Sequence, residues 1–428
     1  MDYKKVTNCR VCGSSRLTSY LNLGSTPLAN KLLHYHSESY QEYPLEVLFC
    51  EDCALSQLSI VVDPSVLYTD YPYHSSVSQT FRKHCKEMAV SIKAILDSNK
   101  PWNIEGLGDE YKGSLDRFAP LDHHVLDLAS NDGCLLSEFH GVGFQVMGVE
   151  PSKNLADIAE SRGITTLNTF WGSEEANRVP ACDVITATNV LAHVDDVKGF
   201  ILQAKKKLKS LKKGIMVVEV PYLLNLIKQN QFDTIYHEHL SYFLVKPLRI
   251  LFESCGMKVF RVEEHEVHGG SLRIYASPYF YKIDESVASF EEREESQGFH
   301  KIDRYLKFKD EVNQLKENIL MLTEYARENG KVVVGYGASA KGISLINFCG
   351  LTPRDIREIV DDTPAKQGKY VAKAGIRIVT RKGFETCMRP DYIFILSWNF
   401  AKEMMENTEL YRQRGSKYIV PIPQVRIL

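Results

Sequence analysis

The chain has 428 residues, too many for one hydrophobic core, so its length predicts two or three domains. Its formal charge of -2, with 44% hydrophobic and 25% charged residues, is typical of a globular protein and excludes recognition of nucleic acid through bulk positive charge. No apolar run has membrane-spanning length and the first residues lack a signal-peptide pattern, so we expect a cytoplasmic protein with no membrane partner.

Two Cys-x-x-Cys pairs stand near the start of the chain, Cys9 with Cys12 and Cys50 with Cys53. A two-residue gap lets one tight turn aim both thiolates at a single ion, and two such pairs complete a tetrahedral shell of sulfur. Because this shell leaves no ligand position open, we expect a structural zinc ion in a small β-rich module. The remaining six cysteines show no comparable pairing and are predicted to be core residues.

A tyrosine-rich segment follows the cysteines and includes Tyr71 and Tyr73. Behind it, residues 77–96 have the apolar spacing of an amphipathic helix. Packing is the ordinary interpretation of each tyrosine. Phenols gathered beside a cofactor site could also position a sugar or stabilise an enolate.

Residues 125–150 have the pattern of a strand, a polar turn, a helix and a second strand that ends in a carboxylate. Such a turn brings the backbone close to a nucleoside, and the terminal acid can accept hydrogen bonds from both ribose hydroxyls. Only one glycine is present, and two acids near it would repel a pyrophosphate and tolerate a sulfonium cation. S-adenosylmethionine therefore fits better than NAD, although an ordinary βαβ turn remains the alternative. The predicted cofactor-binding residues here are Asp127, Ser130, Asn131, Asp132, Gly133 and Glu150.

The same alternation of strands and helices continues to about residue 274 and predicts a mostly parallel sheet covered on both faces. Ligands bind at the carboxyl ends of such strands. Asn189 and His193 follow one of these ends and should border the same crevice, Asn189 with the cofactor-binding residues. A histidine in such a loop is more often a local hydrogen-bonding residue than a catalyst.

Tyr236, His237, Glu238 and His239 form a motif that is only superficially similar to the His-Glu-x-x-His motif of zinc proteases. The histidines are two residues apart, so on a helix they would face different directions and could not bind one metal. Histidine titrates near neutral pH, and the adjacent tyrosine and glutamate could orient it, so the motif predicts a general acid–base site. A polar loop with buried hydrogen bonds is the alternative.

After a charged helical stretch, a second α/β pattern begins with a predicted strand at 331–334, a glycine-rich turn at 335–342 and a helix at 343–348. The turn lacks the Gly-Lys-Ser/Thr order of a Walker loop, and its third glycine is displaced from the NAD pattern. Backbone donors at a helix N-terminus, together with Lys341, suit a pyrophosphate such as that of a nucleotide-sugar. Further strands are predicted at 356–360, 391–396 and 418–421.

Together these segments resemble the bacterial sugar C-methyltransferases that act on nucleotide-linked 4-keto-deoxysugars. The resemblance rests on the order of the paired cysteines and the strings at 26–30, 130–133, 148–151, 219–222, 236–239, 268–273, 335–342 and 421–423. It implies a zinc-binding module over residues 1–70, an S-adenosylmethionine-binding methyltransferase domain over 71–285 and a Rossmann-like C-terminal domain over 286–428. The active site would lie between the last two. One departure is Asp127-Leu128-Ala129, where Glu-Ile-Gly is expected, and the alanine crowds the methionine end slightly.

The resemblance also implies a reaction, C-methylation at carbon 3 of a nucleotide-linked 4-keto-6-deoxyhexose. A base removes the acidic proton on carbon 3, and the carbanion attacks the sulfonium methyl group without a catalytic metal. By position and resemblance the base is His239, with Tyr236 and Glu238 orienting it or stabilising the enolate, and with His193 and Tyr73 as further catalytic candidates. The candidate substrate-binding residues are Tyr71, Tyr222, His268, Arg273, Gly337 and Lys341.

Two other classes of function remain open at this level. An NAD-dependent nucleotide-sugar oxidoreductase or isomerase would use the C-terminal domain for its cofactor. A non-enzymatic zinc-dependent scaffold would retain the fold only, but it explains poorly why the Tyr-His-Glu-His motif follows an intact cofactor motif. For the methyltransferase we expect a dTDP- or GDP-linked sugar as partner and a monomer or small homo-oligomer.

Overall fold

The structure is a computed structural model that describes residues 2–67, 74–98, 123–209, 213–382 and 389–428. It confirms the predicted α/β class, with a small cysteine-bearing β module at the N-terminus and two sheet domains behind it. Over these ranges, no helix combines the length and the apolar character needed to cross a bilayer. The predicted site residues Tyr71 and Tyr73 lie outside the described residues, as does Cys387.

The N-terminal module is an antiparallel sheet. Buried and part-exposed side chains alternate along Tyr43–Cys50, as expected for a strand with one face in the core. Its elements are β1 (Tyr3–Lys5), β2 (Leu17–Thr26), β3 (Leu32–Leu33), β4 (Tyr43–Cys50), β5 (Ser56–Leu58), β6 (Ile60–Val62) and the short helix α1 (Pro64–Leu67). Strands β2, β4 and β5 pair in that order, and β1 pairs with β6.

The amphipathic helix predicted at 77–96 is present as α2 (Gln79–Ser98). Its buried side chains include Phe81, Cys85, Met88 and Ile92, which recur every three or four residues and form one apolar face. This face packs against the first helix of the middle domain, α3 (Cys134–Gly141).

The middle domain has a seven-stranded sheet in the order β13-β14-β11-β10-β7-β8-β9. The five strands from β11 to β9 are parallel, as predicted, while β13 and β14 run antiparallel at one edge. The strands are β7 (His124–Leu128), β8 (Gln145–Val149), β9 (Thr166–Leu167), β10 (Val184–Thr188), β11 (Ile215–Pro221), β12 (Ser241–Tyr242, outside this sheet), β13 (Lys258–His265) and β14 (Ser271–Ser277). After α3, its helices are α4 (Lys153–Ser161), α5 (Val197–Lys207), α6 (Leu223–Lys228) and α7 (Val245–Ser254).

The strand order reverses between β7 and β10, because the chain builds outward from β7 to β9 and then returns to the other side of β7. In open α/β sheets, such a switch point opens a crevice at the carboxyl ends of the two strands. The turns after β7 and β10 therefore border one crevice, as the sequence predicts.

The C-terminal domain repeats this plan with the strand order β18-β16-β15-β19-β20-β21, parallel except for β21. Two helices precede it, α8 (Glu285–Ser296) and α9 (Ile302–Glu328). Its strands are β15 (Val333–Tyr336), β16 (Ile359–Val360), β17 (Tyr370–Val371, paired with β3), β18 (Ile378–Val379), β19 (Tyr392–Ile395), β20 (Lys417–Val420) and β21 (Arg426–Ile427). Its helices are α10 (Ala340–Cys349), α11 (Ala401–Asn407) and α12 (Glu409–Gln413).

Several predicted boundaries in this domain are wrong. The helix predicted at 343–348 begins at Ala340, and the strand predicted at 356–360 begins only at Ile359. The strand predicted at 331–334 extends to Tyr336, so the glycine-rich turn begins at Gly337 and not at Gly335. A Cβ on Gly335 would lie 2.9 Å from Leu396 and 3.0 Å from Ile359, both at side-chain carbon atoms. Gly335 is therefore a strand residue that allows close packing, and it is not part of the turn.

The three units pack on one another through continuous apolar contacts. The ring of Tyr305 in α9 lies 5.0 Å from the ring of Tyr20 in β2 and 4.6 Å from that of Phe49 in β4. The long helix α9 therefore joins the N-terminal sheet to the C-terminal domain.

The N-terminus of helix α7 is capped by a carboxylate from another helix, 49 residues further along the chain. Its N-cap residue, Leu244, has no side-chain hydrogen bond to offer the first amides. Glu294 of α8, which is fully buried, accepts hydrogen bonds from the amide of Val245 at 2.7 Å and from the Tyr222 hydroxyl at 3.1 Å. The negative charge of Glu294 also interacts favourably with the positive end of the α7 helix dipole.

We expect Glu294→Ala to destabilise the fold, because it leaves buried donors unpaired, at about 1–3 kcal/mol for each donor. Thermal unfolding followed by circular dichroism should show a lower midpoint than for the wild type. Glu295→Ala, one residue further along the same helix and exposed, is the matched control. Equal midpoints for the two variants would contradict this role.

Candidate functional site

The four predicted metal ligands come together in the folded chain. The sulfur atoms of Cys9, Cys12, Cys50 and Cys53 all lie within 4.8 Å of one another. Cys9 and Cys53 are 3.4 Å apart, and Cys12 and Cys50 are 3.5 Å apart. Zinc–sulfur bonds of about 2.3 Å in a tetrahedron separate the sulfur atoms by about 3.8 Å, so the cluster has the dimensions of a zinc site. The distances are too long for disulfide bonds.

Both cysteine pairs use the same turn. The Gly13 amide donates to the Cys9 carbonyl at 2.9 Å, and the Ala54 amide donates to the Cys50 carbonyl at 2.9 Å. Gly13 has a φ of 78° and Ala54 a φ of 64°, a left-handed conformation that is uncommon for alanine. Four thiolates complete the tetrahedral shell, so the zinc has a structural role.

The predicted nucleoside-binding turn follows β7 at the switch point. The Asn131 amide donates to Oε2 of Glu150 at 2.8 Å, and the Ser152 amide donates to Oε1 of the same carboxylate at 2.8 Å. Burial raises the pKa of Glu150, and these two amides oppose the rise. Each carboxylate oxygen has a second acceptor site for a ribose hydroxyl.

Several buried polar atoms border the crevice without a protein partner. Within the described ranges, Oγ of Ser130, Oδ1 of Asp132 and Oδ1 of Asn189 have no hydrogen bond. Ser130 follows β7 and Asn189 follows β10, so these atoms flank the switch point from both sides. Buried polar atoms in native proteins nearly always have partners, so the crevice fits a ligand that supplies its own polar groups.

The two acids near the turn, Asp132 and Asp127, carry less free negative charge than the sequence predicts. Oδ2 of Asp132 accepts hydrogen bonds from the Ser76 amide and hydroxyl at 3.1 and 2.5 Å, and the Arg162 guanidinium lies 3.4 Å away. Asp127 accepts a hydrogen bond from Thr186 at 2.7 Å, and burial raises its pKa to about 7. Because one acid is paired with a cation and the other is partly protonated near neutral pH, they repel anions less than the sequence argument assumed. The single glycine of the turn, Gly133, has a φ of 75°.

His239 is held in one orientation. Its Nδ1 lies 2.8 Å from the carbonyl oxygen of Thr234. A carbonyl can only accept, so Nδ1 carries the proton and Nε2 carries the lone pair. Burial lowers the pKa of His239 well below its ordinary value, and the neighbouring His193 and Lys341 lower it further. The ring is therefore neutral near pH 7 and can accept a proton at Nε2.

Two other predicted catalytic residues surround this ring. The ring centroid of Tyr236 lies 4.1 Å from that of His239, and the His193 ring meets His239 edge to face at 4.9 Å. His193 follows Asn189 on the turn after β10, so this contact joins the histidine pair to the cofactor crevice. Burial lowers the pKa of His193 to about 4.

Glu238 has a different neighbour from the one expected. Its Oε1 accepts a hydrogen bond from Asn30 of the N-terminal module at 2.6 Å. Nδ1 of His239 instead donates to the Thr234 carbonyl. The buried His237 lies against the carbonyls of Tyr43 and Pro44, at 3.3 and 3.2 Å, and is structural.

The C-terminal domain contributes a cation to this region. Lys341 is in the first turn of α10, and its Nζ lies 5.2 Å from the centre of the Trp398 ring. The Trp398 indole donates to Asp233 at 2.6 Å, directly before Thr234 in the chain. Burial lowers the pKa of Lys341 and raises that of Asp233 to about 6, and the two charges attract. Gly337 has a φ of 89°, and a Cβ there would lie 2.5 Å from Oγ of Ser397, so its backbone conformation and its packing both account for this glycine.

Two predicted substrate-binding side chains make internal contacts. The Tyr222 hydroxyl donates to Glu294, and Arg273, 1% exposed, donates to Glu219 at 3.0 Å and lies 3.6 Å from Glu263. Their placement gives no support to the predicted role. His268 lies within the short 3-10 turn Val267–Gly269 before β14, and its side chain is outside the described residues.

Sequence reasoning missed Thr234, Asp233 and Arg10. Thr234 acts through its backbone carbonyl, which has no sequence signature. Asp233 and Arg10 are single charged residues in the sequence, and no motif predicts their contacts with Trp398 and Asp195. Asn30 was noted in the string at 26–30, but nothing local connects it with Glu238.

We expect about one zinc ion per chain, measured by atomic emission on purified protein. Cys53→Ser removes one thiolate and should lower both the zinc content and the yield of folded protein. Cys349→Ser, a buried cysteine outside the cluster, is the control that should keep its zinc. Loss of turnover upon chelation with the fold intact would contradict a structural role.

Glu150→Ala should weaken binding of S-adenosylmethionine roughly tenfold or more, because hydrogen bonds to a carboxylate contribute on the order of 1.5–3 kcal/mol. Isothermal titration calorimetry measures the affinity. Glu174→Ala, an exposed position, is the control and should bind normally. Unchanged affinity in Glu150→Ala would move the ribose site elsewhere.

Three family models match the chain in order: a zinc binding domain over residues 9–68, a methyltransferase domain over 105–262 and a C-methyltransferase C-terminal domain over 266–423. Together with the sulfur cluster, the first match confirms the predicted zinc module. The second falls on the sheet that carries the cofactor turn, and it confirms S-adenosylmethionine as the cofactor.

The C-methyltransferase NovU of Streptomyces niveus is 34% identical over 434 residues, which cover 99% of this chain and 97% of NovU. Solved structures align less well. Magnesium protoporphyrin IX methyltransferase (ChlM) from Synechocystis PCC 6803 with bound SAH is 14% identical over 45% of this chain and 83% of its own, with a TM-score of 0.33. The CcbJ methyltransferase from Streptomyces caelestis is 13% identical over 36% of this chain and 83% of its own, with a TM-score of 0.29.

The TM-scores of these structures are too low to carry an argument, whereas the match to NovU extends over 99% of this chain. The chain is an enzyme that belongs to the family of bacterial S-adenosylmethionine-dependent C-methyltransferases.

Proposed function

We propose that this C-methyltransferase acts on carbon 3 of a nucleotide-linked 4-keto-6-deoxyhexose, with a dTDP- or GDP-linked sugar as substrate. The observation that carries the proposal is the oriented His239 ring, whose Nδ1 is held by the Thr234 carbonyl so that Nε2 can act as a base. The ordered motifs shared with sugar C-methyltransferases support the substrate class.

Deprotonation of the sugar is the step that needs this base. A ketone at carbon 4 acidifies the hydrogen on carbon 3, because the resulting charge spreads onto oxygen. His239 takes this proton at Nε2, and the bond from Nδ1 keeps the ring aligned during the transfer. Since the pKa of His239 lies well below its ordinary value, the ring is already neutral at neutral pH, with Nε2 free of a proton.

A histidine with a lowered pKa is a weaker base, so the enolate needs stabilisation from the site. The Tyr236 ring lies against His239, and we assign its hydroxyl to the developing oxyanion at carbon 4. Lys341, with the amides of the first turn of α10, is assigned to the diphosphate of the substrate. Its positive charge also favours the anionic enolate in the same cleft.

S-adenosylmethionine supplies a methyl group that is activated by positively charged sulfur. Glu150 would hold the ribose hydroxyls, and Ser130 and Asn189 offer polar atoms for the rest of the cofactor. The histidine pair adjoins this crevice through His193, so carbon 3 and the methyl group can be aligned. The zinc ligands contribute no open coordination position, so these side chains perform the chemistry.

His239→Asn tests the base. The asparagine amide can still donate to the Thr234 carbonyl, so binding of cofactor and sugar should be nearly unchanged, while the turnover number falls by roughly 10²–10⁴-fold for a lost general base. Wild-type enzyme is first offered dTDP- and GDP-linked 4-keto-6-deoxyhexoses, and mass spectrometry identifies the one that is methylated. With that sugar and S-adenosylhomocysteine bound, the variant should no longer exchange the carbon 3 hydrogen with deuterated water.

His140→Asn, an exposed histidine on α3, is the control and should exchange normally. If His239→Asn exchanged at the wild-type rate while Tyr236→Phe or His193→Asn did not, the base would be the residue whose loss stopped exchange. If no keto-sugar nucleotide were methylated by the wild type, the proposed substrate class would be wrong.

A further inference from the structure

Residues on both sides of His239 contact the N-terminal module. Asn30 bonds to Glu238, and the carbonyls of Tyr43 and Pro44 contact His237. Immediately afterwards the chain forms β12, in which Ser241 and Tyr242 pair with β5 of the zinc module. The candidate base is therefore at the edge of a sheet that belongs to another domain.

Arg10 adds a buried side-chain contact to these. It stands between the zinc ligands Cys9 and Cys12, and its side chain is only 3% exposed. Its Nε donates to Oδ1 of Asp195 at 3.0 Å, and one terminal nitrogen donates to the Leu240 carbonyl at 3.0 Å. The same terminal nitrogen also donates to the Leu58 carbonyl of β5, at 3.4 Å. Its backbone amide donates to Gln57 of β5 at 3.0 Å.

The other two acceptors of the Arg10 side chain belong to the two turns that carry the histidine pair. Leu240 directly follows His239, and Asp195 lies two residues after His193. The Leu240 amide also donates to the Ala192 carbonyl at 2.7 Å, so the turns are joined to each other as well as to Arg10. The two imidazole rings meet at 4.9 Å inside this frame.

The guanidinium group suits this task because its donors are fixed in one plane. It can reach a carboxylate and a carbonyl together, whereas a lysine ammonium is a single point charge on a flexible stem. The backbone of Arg10 is constrained on both sides by cysteines whose thiolates converge on one position. The zinc shell thereby sets where the guanidinium points.

We propose that Arg10 is a positioning residue, which transmits the rigidity of the zinc module to His193 and His239 and sets their separation for proton abstraction. This inference rests on the proposed function, since it concerns the base assigned there. It gives the N-terminal module a role in the reaction beyond folding, although no residue of the module need touch the substrate.

The test uses full-length Arg10→Lys and Asp195→Asn, with Arg16→Ala as the matched control. Arg16 is in the same module, 61% exposed, and pairs with Asp52 at the surface. We expect Arg10→Lys to keep the wild-type zinc content and S-adenosylmethionine affinity. Its turnover number and its carbon 3 hydrogen exchange should fall by roughly 10- to 100-fold, because a displacement of about 1 Å in reacting groups can cost that much. Asp195→Asn should show a smaller loss of the same kind, and Arg16→Ala none.

Chemical rescue separates positioning from folding. Arg10→Ala creates a space that methylguanidinium can enter, so added methylguanidinium should restore part of the exchange rate in this variant. It should have no effect on His239→Asn or on Arg16→Ala. A destabilised fold would not recover in this selective way.

Wild-type exchange in Arg10→Lys would overturn the inference. So would equal losses of zinc, cofactor affinity and exchange in both Arg10 variants without rescue, which would make Arg10 structural only. Failure of the proposed function has a different signature. In that case His239→Asn would still exchange, whatever the Arg10 variants do.

Discussion

The site depends on one segment that leaves the methyltransferase domain and joins the sheet of the N-terminal module. After α6 the chain reaches His239, whose Nδ1 donates to the Thr234 carbonyl. It then forms β12, which pairs with β5 of the N-terminal sheet. A loop of this kind on the surface of a Rossmann-like domain would have few constraints on its side chains. Strand pairing and the backbone acceptor on Nδ1 remove that freedom, so His239 presents Nε2 in one direction.

The zinc cluster explains how so small a module can provide this support. A short β unit buries little apolar area, and a metal shell supplies the missing stability. The four converging thiolates order the turn that carries Arg10, and the apolar contact of Tyr305 with Tyr20 anchors the sheet from its other side. Metal binding and helix packing therefore order the module, and strand pairing connects it to the segment that carries the proposed base.

The two Rossmann-like domains contain nearly the same acid-and-amide arrangement but present it differently. In the C-terminal domain, Asp361 accepts from the Ala338 and Thr363 amides at 2.7 and 2.8 Å, as Glu150 does from its own turn. There, however, the Lys366 ammonium lies 3.8 Å from Asp361 and donates to the Ala338 carbonyl at 2.8 Å. A cation beside the acid reduces its attraction for ribose hydroxyls. This contrast agrees with cofactor binding in the middle domain and leaves the C-terminal domain to contribute Lys341.

Sequence alone determined the elements whose causes are local. Spacing within each Cys-x-x-Cys pair specifies the zinc ligands, and the apolar strand, polar turn and terminal acid specify the nucleoside-binding unit, because neighbours along the chain form both. Tertiary structure decided which residues act together. Asn30 meets Glu238 across 208 residues and Arg10 meets Asp195 across 185, and a backbone carbonyl fixes the His239 tautomer. Contacts so distant in the chain, or made by atoms common to every residue, leave no local pattern, and only the packing of the three domains creates them.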